Sequence, residues 1–192
     1  MPHHDAEKWN ARYRAGNHDR SGPVQVLSEF GYLLPRKGKA LDLACGTGAN
    51  ALFLARHGLI TSAWDISGEA ISVLRERAVK NNLAVKTRVC DVTTARLPAR
   101  RFDVITVSYF LERALFPAII NALKQNGLLF YQTWLRERHT EKGPHNDNFR
   151  LGSNELLHLC SSLHIVHYRE EGLTGDRSQG MRDEAMLIGQ RR

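Results

Sequence analysis

Residues 39–50, KALDLACGTGAN, read as a buried strand running into a glycine turn and then a helix. Ala40, Leu41 and Leu43 give the short apolar run of a strand covered on both faces. Gly46 and Gly48 permit a tight turn and a close backbone approach to a ligand, where any Cβ would collide. The helix expected over 50–57 opens with unpaired N–H groups aimed over the strand end, which favours a polar or anionic ligand group there. Asp42 narrows the choice: its charge would repel a pyrophosphate and suits a ligand with a cationic group such as an α-ammonium. Gly46, Gly48 and Ala51 also satisfy a lone GxGxxA dinucleotide fingerprint, a pattern of low specificity.

Working outward, strands and helices alternate. A second strand is expected over 59–66, placing Asp65 seventeen residues beyond Gly48, where an acid accepts hydrogen bonds from ribose hydroxyls. A helix follows over 67–81, with Ile71, Leu74 and Ala78 inward. Strands are expected at 85–90, with Asp91 directly after it, at 102–107 and at 128–133. Between the last two lies a helix over 117–125, closed by Asn126 and Gly127. Residues 134–152 lack periodicity and are rich in Arg, His, Asn, Gly and Pro, which marks a functional loop. A helix over 153–163 and alternating strands at 164–170 and 184–190 finish the chain. Upstream, 5–15 form an amphipathic helix with Trp9 and Tyr13 on one face, and 23–34 a second helix bounded by Pro23 and Pro35.

LDLACGTG, with Asp42, Asp65 and Asp91 at the ends of three successive expected strands, resembles the class I S-adenosylmethionine-dependent methyltransferases. The resemblance spans most of the chain and is nearest to the small bacterial tellurite-resistance-type and thiopurine-type enzymes. Ala44 replaces the first glycine of the family's GxGxG, at a position expected to need only an ordinary φ. The resemblance implies an α/β fold: a Rossmann-like, doubly wound, mostly parallel seven-stranded sheet, helices on both faces, its antiparallel final strand inserted beside the fifth. It implies S-adenosyl-L-methionine as cofactor, bound by Asp42, Ala44, Cys45, Gly46, Gly48, Asn50, Asp65, Ile66, Asp91, Val92 and Ser108. Asp91 and Val92 would meet the adenine. WNARYRAG is similar to a W-x-x-R-Y segment that opens many small methyltransferases, and carries Trp9, Arg12 and Tyr13 onto that pattern, with Tyr13 covering the cofactor. Catalytic candidates are Tyr13, Phe110 and Tyr131, whose rings could face a sulfonium, and His139, which with Glu112 could serve as a base for an oxygen or amine acceptor.

At 192 residues the chain fits one domain, with 1–35 as a helical cover and 36–192 as the core, too small for a separate catalytic domain. A nicotinamide oxidoreductase would share the glycines and Asp65 but would disfavour Asp42 and need that further domain. Net charge is +7, yet Lys and Arg are scattered and no RNA-binding motif occurs, which argues against nucleic acid. SYFL stands where a nucleic-acid methyltransferase usually carries N-P-P-Y, so the acceptor is expected to be a small molecule, a thiol, a chalcogen oxyanion or similar. An RNA methyltransferase and a non-catalytic S-adenosylmethionine-binding protein stay open as alternatives. Residues 1–20 hold no apolar segment and no run approaches the roughly 18 apolar residues of a membrane span, so a cytoplasmic location is expected. Cys45, Cys90 and Cys160 are odd in number and widely spaced, pointing to reduced thiols and no metal. Arg136, Arg138, His139, Lys142, His145 and Arg150 make 134–152 a candidate lid over a polar or anionic acceptor. The sequence carries no signal for oligomeric state.

Overall fold

The computed structural model describes residues 2–16 and 22–192, so residues 1 and 17–21 of the expected cover lie outside the described residues. Helices α1 (Pro2–Arg14) and α2 (Gln25–Phe30) precede strand β1 (Lys39–Leu43). Then come α3 (Ala49–Arg56), β2 (Ile60–Asp65), α4 (Gly68–Lys80), β3 (Val85–Val89), β4 (Phe102–Ser108) and α5 (Phe116–Ala122). β5 (Leu123–Trp134), α6 (Glu155–Leu159), β6 (His164–Glu170) and β7 (Glu184–Gln190) complete the order. The seven strands lie β3-β2-β1-β4-β5-β7-β6, with β7 antiparallel to both neighbours, as expected of a doubly wound sheet with an inserted final strand. Strand order reverses between β1 and β4, which opens a crevice at the carboxyl ends of the strands.

Period-two alternation sorts the strand side chains onto two faces. Leu41, Leu43, Ile105, Val107, Leu129, Tyr131 and Leu187 share a core with Phe116 and Ile119 of α5 and Leu156 of α6. Ala40, Val104, Leu128, Phe130, Met186 and Ile188 pack instead with Val26 and Leu27 of α2 and Leu54 of α3. A third cluster joins Ala51 and Leu52 of α3 to Ile71, Leu74 and Ala78 of α4 over Ala63. By the same alternation Asp42, Ser108, Gln132 and Glu184 fall on the α2 and α3 face, a parity that decides where the polar groups meet.

Three expected elements differ in extent. α5 stops at Ala122 because the buried Leu123 is already extended and pairs with Phe102; the register then shifts before Leu128 reaches Val104, with Asn126 at φ 63°. The ladder outweighs the helical preference of Lys124 and Gln125. The helix expected over 23–34 is split into α2 and a 3-10 turn over Gly31–Leu33. That expected over 153–163 shortens to five residues, opened by Asn154 at φ 56°.

Candidate functional site

The turn after β1 carries Ala44 at φ 55°, Gly46 at φ 52° and Gly48 at φ 80°. Ala44 therefore overturns the expectation of an ordinary φ. The chain must leave the sheet so that the Cys45 N–H donates to the Trp64 carbonyl at 3.0 Å. For a residue with a Cβ, that conformation costs about 1–2 kcal/mol. At Gly48, with φ 80°, an added Cβ would lie 2.1 Å from Leu74 Cδ1, so backbone angle and the packing of α4 both favour glycine there. At Gly46 it would lie 2.7 Å from the Tyr13 hydroxyl, which places Tyr13 over the turn. α1 is held there by Asn10, whose Oδ1 accepts from Ser67 Oγ at 2.7 Å and from the Glu69 N–H at 3.3 Å.

Three carboxylates stand around this turn. Asp42 is fully buried; its Oδ2 accepts from the Ala51 N–H at 2.9 Å and so fixes the first turn of α3, while its Oδ1 accepts no well-formed hydrogen bond among the described residues. Burial pushes its carboxyl up to about 7, against the pull of the Ala51 N–H and the nearby Asn50 side chain. Asp65 accepts from the Gly46 N–H on Oδ2 and from the Ser67 N–H on Oδ1, both at 2.8 Å. Burial raises this acid too, and the N–H groups of Ser67, Gly46 and Ile66 oppose the rise. Asp91 Oδ1 accepts from the Thr93 N–H and hydroxyl at 2.9 and 2.7 Å, beside the buried Val92. Cys45 is buried next to the turn, where desolvation drives its thiol up, and Ile66 links Asp65 to α4.

A polar row crosses the carboxyl ends of the strands on the α2 and α3 face. Asn50 Nδ2 donates to Ser108 Oγ at 2.9 Å, and its Oδ1 accepts from the Val24 N–H at 2.9 Å. Gln132 Oε1 accepts from the Val26 N–H at 2.8 Å, and its Nε2 donates to Glu184 Oε2 at 2.6 Å. Tyr109 also donates to Glu184 Oε2, at 2.9 Å. Tyr131 lies elsewhere: parity turns it to the α5 side, where it is buried against Phe116 and donates to the Phe110 carbonyl at 2.6 Å. Phe110 packs against that same core. Neither ring joins the row. A depression of about 290 Å³ lined by Leu33, Asp103, Asn126 and Leu128 sits at the amino ends of β4 and β5, the opposite edge of the sheet from the turn.

Residues 25–181 match the family described as Tellurite resistance protein TehB. The chain belongs to this family. A Haemophilus influenzae relative named Probable S-adenosyl-L-methionine-dependent methyltransferase TehB is 37% identical over 137 residues, 69% of this chain and 48% of that one. The Ubiquinone biosynthesis O-methyltransferase of Coxiella burnetii is 35% identical over 103 residues, 50% of this chain and 44% of its own. The chain thus spans about half the length of the curated relatives it matches. The crystal structure of TehB from Haemophilus influenzae shares the fold with a TM-score of 0.73 at 21% identity, over 94% of this chain and 66% of that one.

In this TehB-family chain the 134–152 segment is a pinned wall. Arg150, expected to face an acceptor, is fully buried and donates to the carbonyls of Leu135 at 2.7 Å, Pro144 at 2.6 Å and Lys142. Arg113 donates to the carbonyls of Asn148 at 2.7 Å and Arg150 at 3.0 Å while pairing with Glu155 at 2.5 Å. Asp183 accepts from the His139 and Thr140 N–H groups; burial alone would raise its carboxyl, but the Thr140 and His139 hydrogen bonds hold it below the usual range. The His139 side chain is exposed, and Glu112 Oε1 accepts from the Ala114 N–H at 3.2 Å. No helix among the described residues is long and apolar enough to cross a membrane. Sequence reasoning missed Asn10, Gln132, Tyr109 as a donor, and Glu184. The signal lay in parity, since Gln132 and Glu184 are polar residues at the ends of buried strands.

Proposed function

We propose that this chain binds S-adenosylmethionine at the carboxyl ends of β1, β2 and β3 and directs its methyl group to a small-molecule acceptor, a thiol, a chalcogen oxyanion or a similar nucleophile. The observation that carries the reading is the set of three carboxylates, Asp42, Asp65 and Asp91, around a turn whose Gly46 is covered by Tyr13. The residues fit the ligand. A buried acceptor left without a donor costs about 1–3 kcal/mol, and an α-ammonium would relieve Asp42 Oδ1 of that penalty. Asp65 accepts from backbone N–H groups on both oxygens, and the lone pairs that remain suit the ribose hydroxyls. Asp91 Oδ2 accepts nothing from the described residues and suits the adenine amino group.

Bound there, the sulfonium supplies an electrophilic methyl group with a neutral thioether as leaving group. The chain holds and shields. Asp42, Asp65 and Asp91 fix orientation, Tyr13 closes the turn against water, and Asn50 ties α3 to the end of β4, where the acceptor must arrive. Alignment of this kind supplies roughly 7–11 kcal/mol of barrier reduction without a triad or a metal. The three free thiols are consistent with work in the cytoplasm.

Thermal melting tests the reading. S-adenosylmethionine or S-adenosylhomocysteine at 100 times its dissociation constant is expected to add about 2.7 kcal/mol of stability, and NAD none. An equal shift with NAD, or no shift with either methionine-derived ligand, refutes it.

A further inference from the structure

Among the described residues Glu184 is a carboxylate without a cation partner, in a chain of net charge +7. Its Oε2 accepts from Gln132 and Tyr109, while its Oε1 accepts from none of the described residues. Its neighbours in the chain are committed elsewhere. Arg182 donates to the carbonyls of Gly172, Thr174, Asp176 and Gln179, and Asp183 holds His139 and Thr140. Glu184 is half-buried at the start of β7, on the face that carries α3.

The parts that grip it lead back to the glycine turn. Tyr109 directly follows Ser108, which receives the hydrogen bond from Asn50 in the first turn of α3. Tyr109 takes φ 54°, a conformation unfavourable for a non-glycine residue and held here by its N–H bond to the Gln132 carbonyl at 2.9 Å. Its ring lies 4.9 Å from that of Trp134, which walls the carboxylate on one side. A glutamine would satisfy the Tyr109 hydroxyl equally well, so closing the strand end does not by itself call for a charge.

Resting on the methyl-transfer reading, we infer that Glu184 is the acceptor-side base, and that the acceptor is a protic nucleophile presenting an O–H, N–H or S–H to Oε1. As the acceptor heteroatom forms its bond to the methyl carbon, the carbon–sulfur bond breaks with its electron pair going to sulfur. The acceptor proton moves to Glu184 Oε1 and passes to water after product leaves. Tyr109 and Gln132 are positioning residues that keep the carboxylate aimed.

The test begins with binding. Wild type and Glu184→Gln are expected to bind S-adenosylhomocysteine alike by calorimetry. With that ligand bound, 4-nitrophenol is expected to bind wild type as the neutral phenol, suppressing its phenolate absorbance, and to bind Glu184→Gln at least about 10-fold more weakly. Tyr109→Phe removes the hydroxyl that aims the carboxylate, so 4-nitrophenol binding should weaken in the same sense as in Glu184→Gln while S-adenosylhomocysteine binding stays unchanged, a split that a structural role would not produce. Labelled methyl transfer to phenol should fall by about 100-fold or more in Glu184→Gln, with transfer to thiophenol, already ionised at mildly alkaline pH, nearly unchanged. Equal 4-nitrophenol binding by wild type and Glu184→Gln, undiminished 4-nitrophenol binding by Tyr109→Phe, equal loss on both acceptors, or a wild type that methylates no protic acceptor while binding S-adenosylhomocysteine overturns the inference. Selective loss of S-adenosylhomocysteine binding by Glu184→Gln also overturns it. If wild type fails to bind S-adenosylhomocysteine, it is the cofactor reading that fails, and the inference goes with it.

Discussion

Asp42 sits where burial and ligand chemistry pull in opposite directions. Desolvation raises its carboxyl from 3.8 to about 7 in the folded, ligand-free chain. The folded state then holds the proton more tightly than the unfolded state, so this group's contribution to stability is fully present below the unfolded value and is lost as pH rises toward about 7. A ligand ammonium favours the ionised carboxylate, so binding expels the proton and the sign reverses. Affinity for S-adenosylhomocysteine should fall by up to about tenfold for each pH unit below 7, and Asp42→Asn should remove most of that slope. Calorimetry across pH, in buffers of different ionisation enthalpy, measures both the affinity and the released proton. A flat wild-type profile would take Asp42 out of the site.

At the scale of elements, the segment between β5 and α6 owes its shape to Arg150. One buried guanidinium satisfies three carbonyls of the loop and lies 5.9 Å from the Trp134 ring. Arg150→Met keeps most of the volume and removes every donor. Those carbonyls must then regain water, at about 1–3 kcal/mol for each group left buried, and the cheapest route is to open the loop. Protease cleavage and amide exchange within 136–149 should therefore rise by at least about tenfold, with overall stability lower by roughly 2–3 kcal/mol. S-adenosylhomocysteine affinity should change little, because its expected carboxylates lie at β1, β2 and β3. A loop as resistant to protease as wild type would show that Arg150 is not what holds it.

For the whole molecule, the open question is what closes the cofactor end of the sheet. Among the described residues none of α1 belongs to the apolar clusters, and its attachments include Asn10 and an exposed Arg14–Glu69 pair, a kind of contact worth up to about 1 kcal/mol. Its Tyr13 nevertheless lies over Gly46. Deletion of residues 1–16 should thus leave the sheet folded, with a loss of about 1–2 kcal/mol, while S-adenosylhomocysteine affinity drops by about tenfold or more. Melting and calorimetry on the truncated chain separate the two effects. Unchanged affinity would show that α1 is no cover.

The succession of strands and helices and the glycine turn were legible in the sequence because both are local, whereas the order of strands across the sheet came from the family resemblance. Alternating apolar runs and Gly46, Gly48 and Asp65 at set spacings need no distant contact to be read, and the same holds for the helix stripe of Ile71, Leu74 and Ala78. The left-handed Ala44 was not legible, since its backbone angle is imposed by the bond from Cys45 to Trp64 of the neighbouring strand. Nor was the inward turn of Arg150, whose charge in a polar stretch reads as solvated until the carbonyls of Leu135, Lys142 and Pro144 converge on it. Tyr131 and Gln132 are adjacent in sequence, and only the register of β5 against β4 and β7 decides which meets the core of α5 and which meets Glu184. Patterns within an element follow from its own residues. Which polar groups share a site depends on register between strands far apart in the chain, and that is settled only when the sheet is assembled.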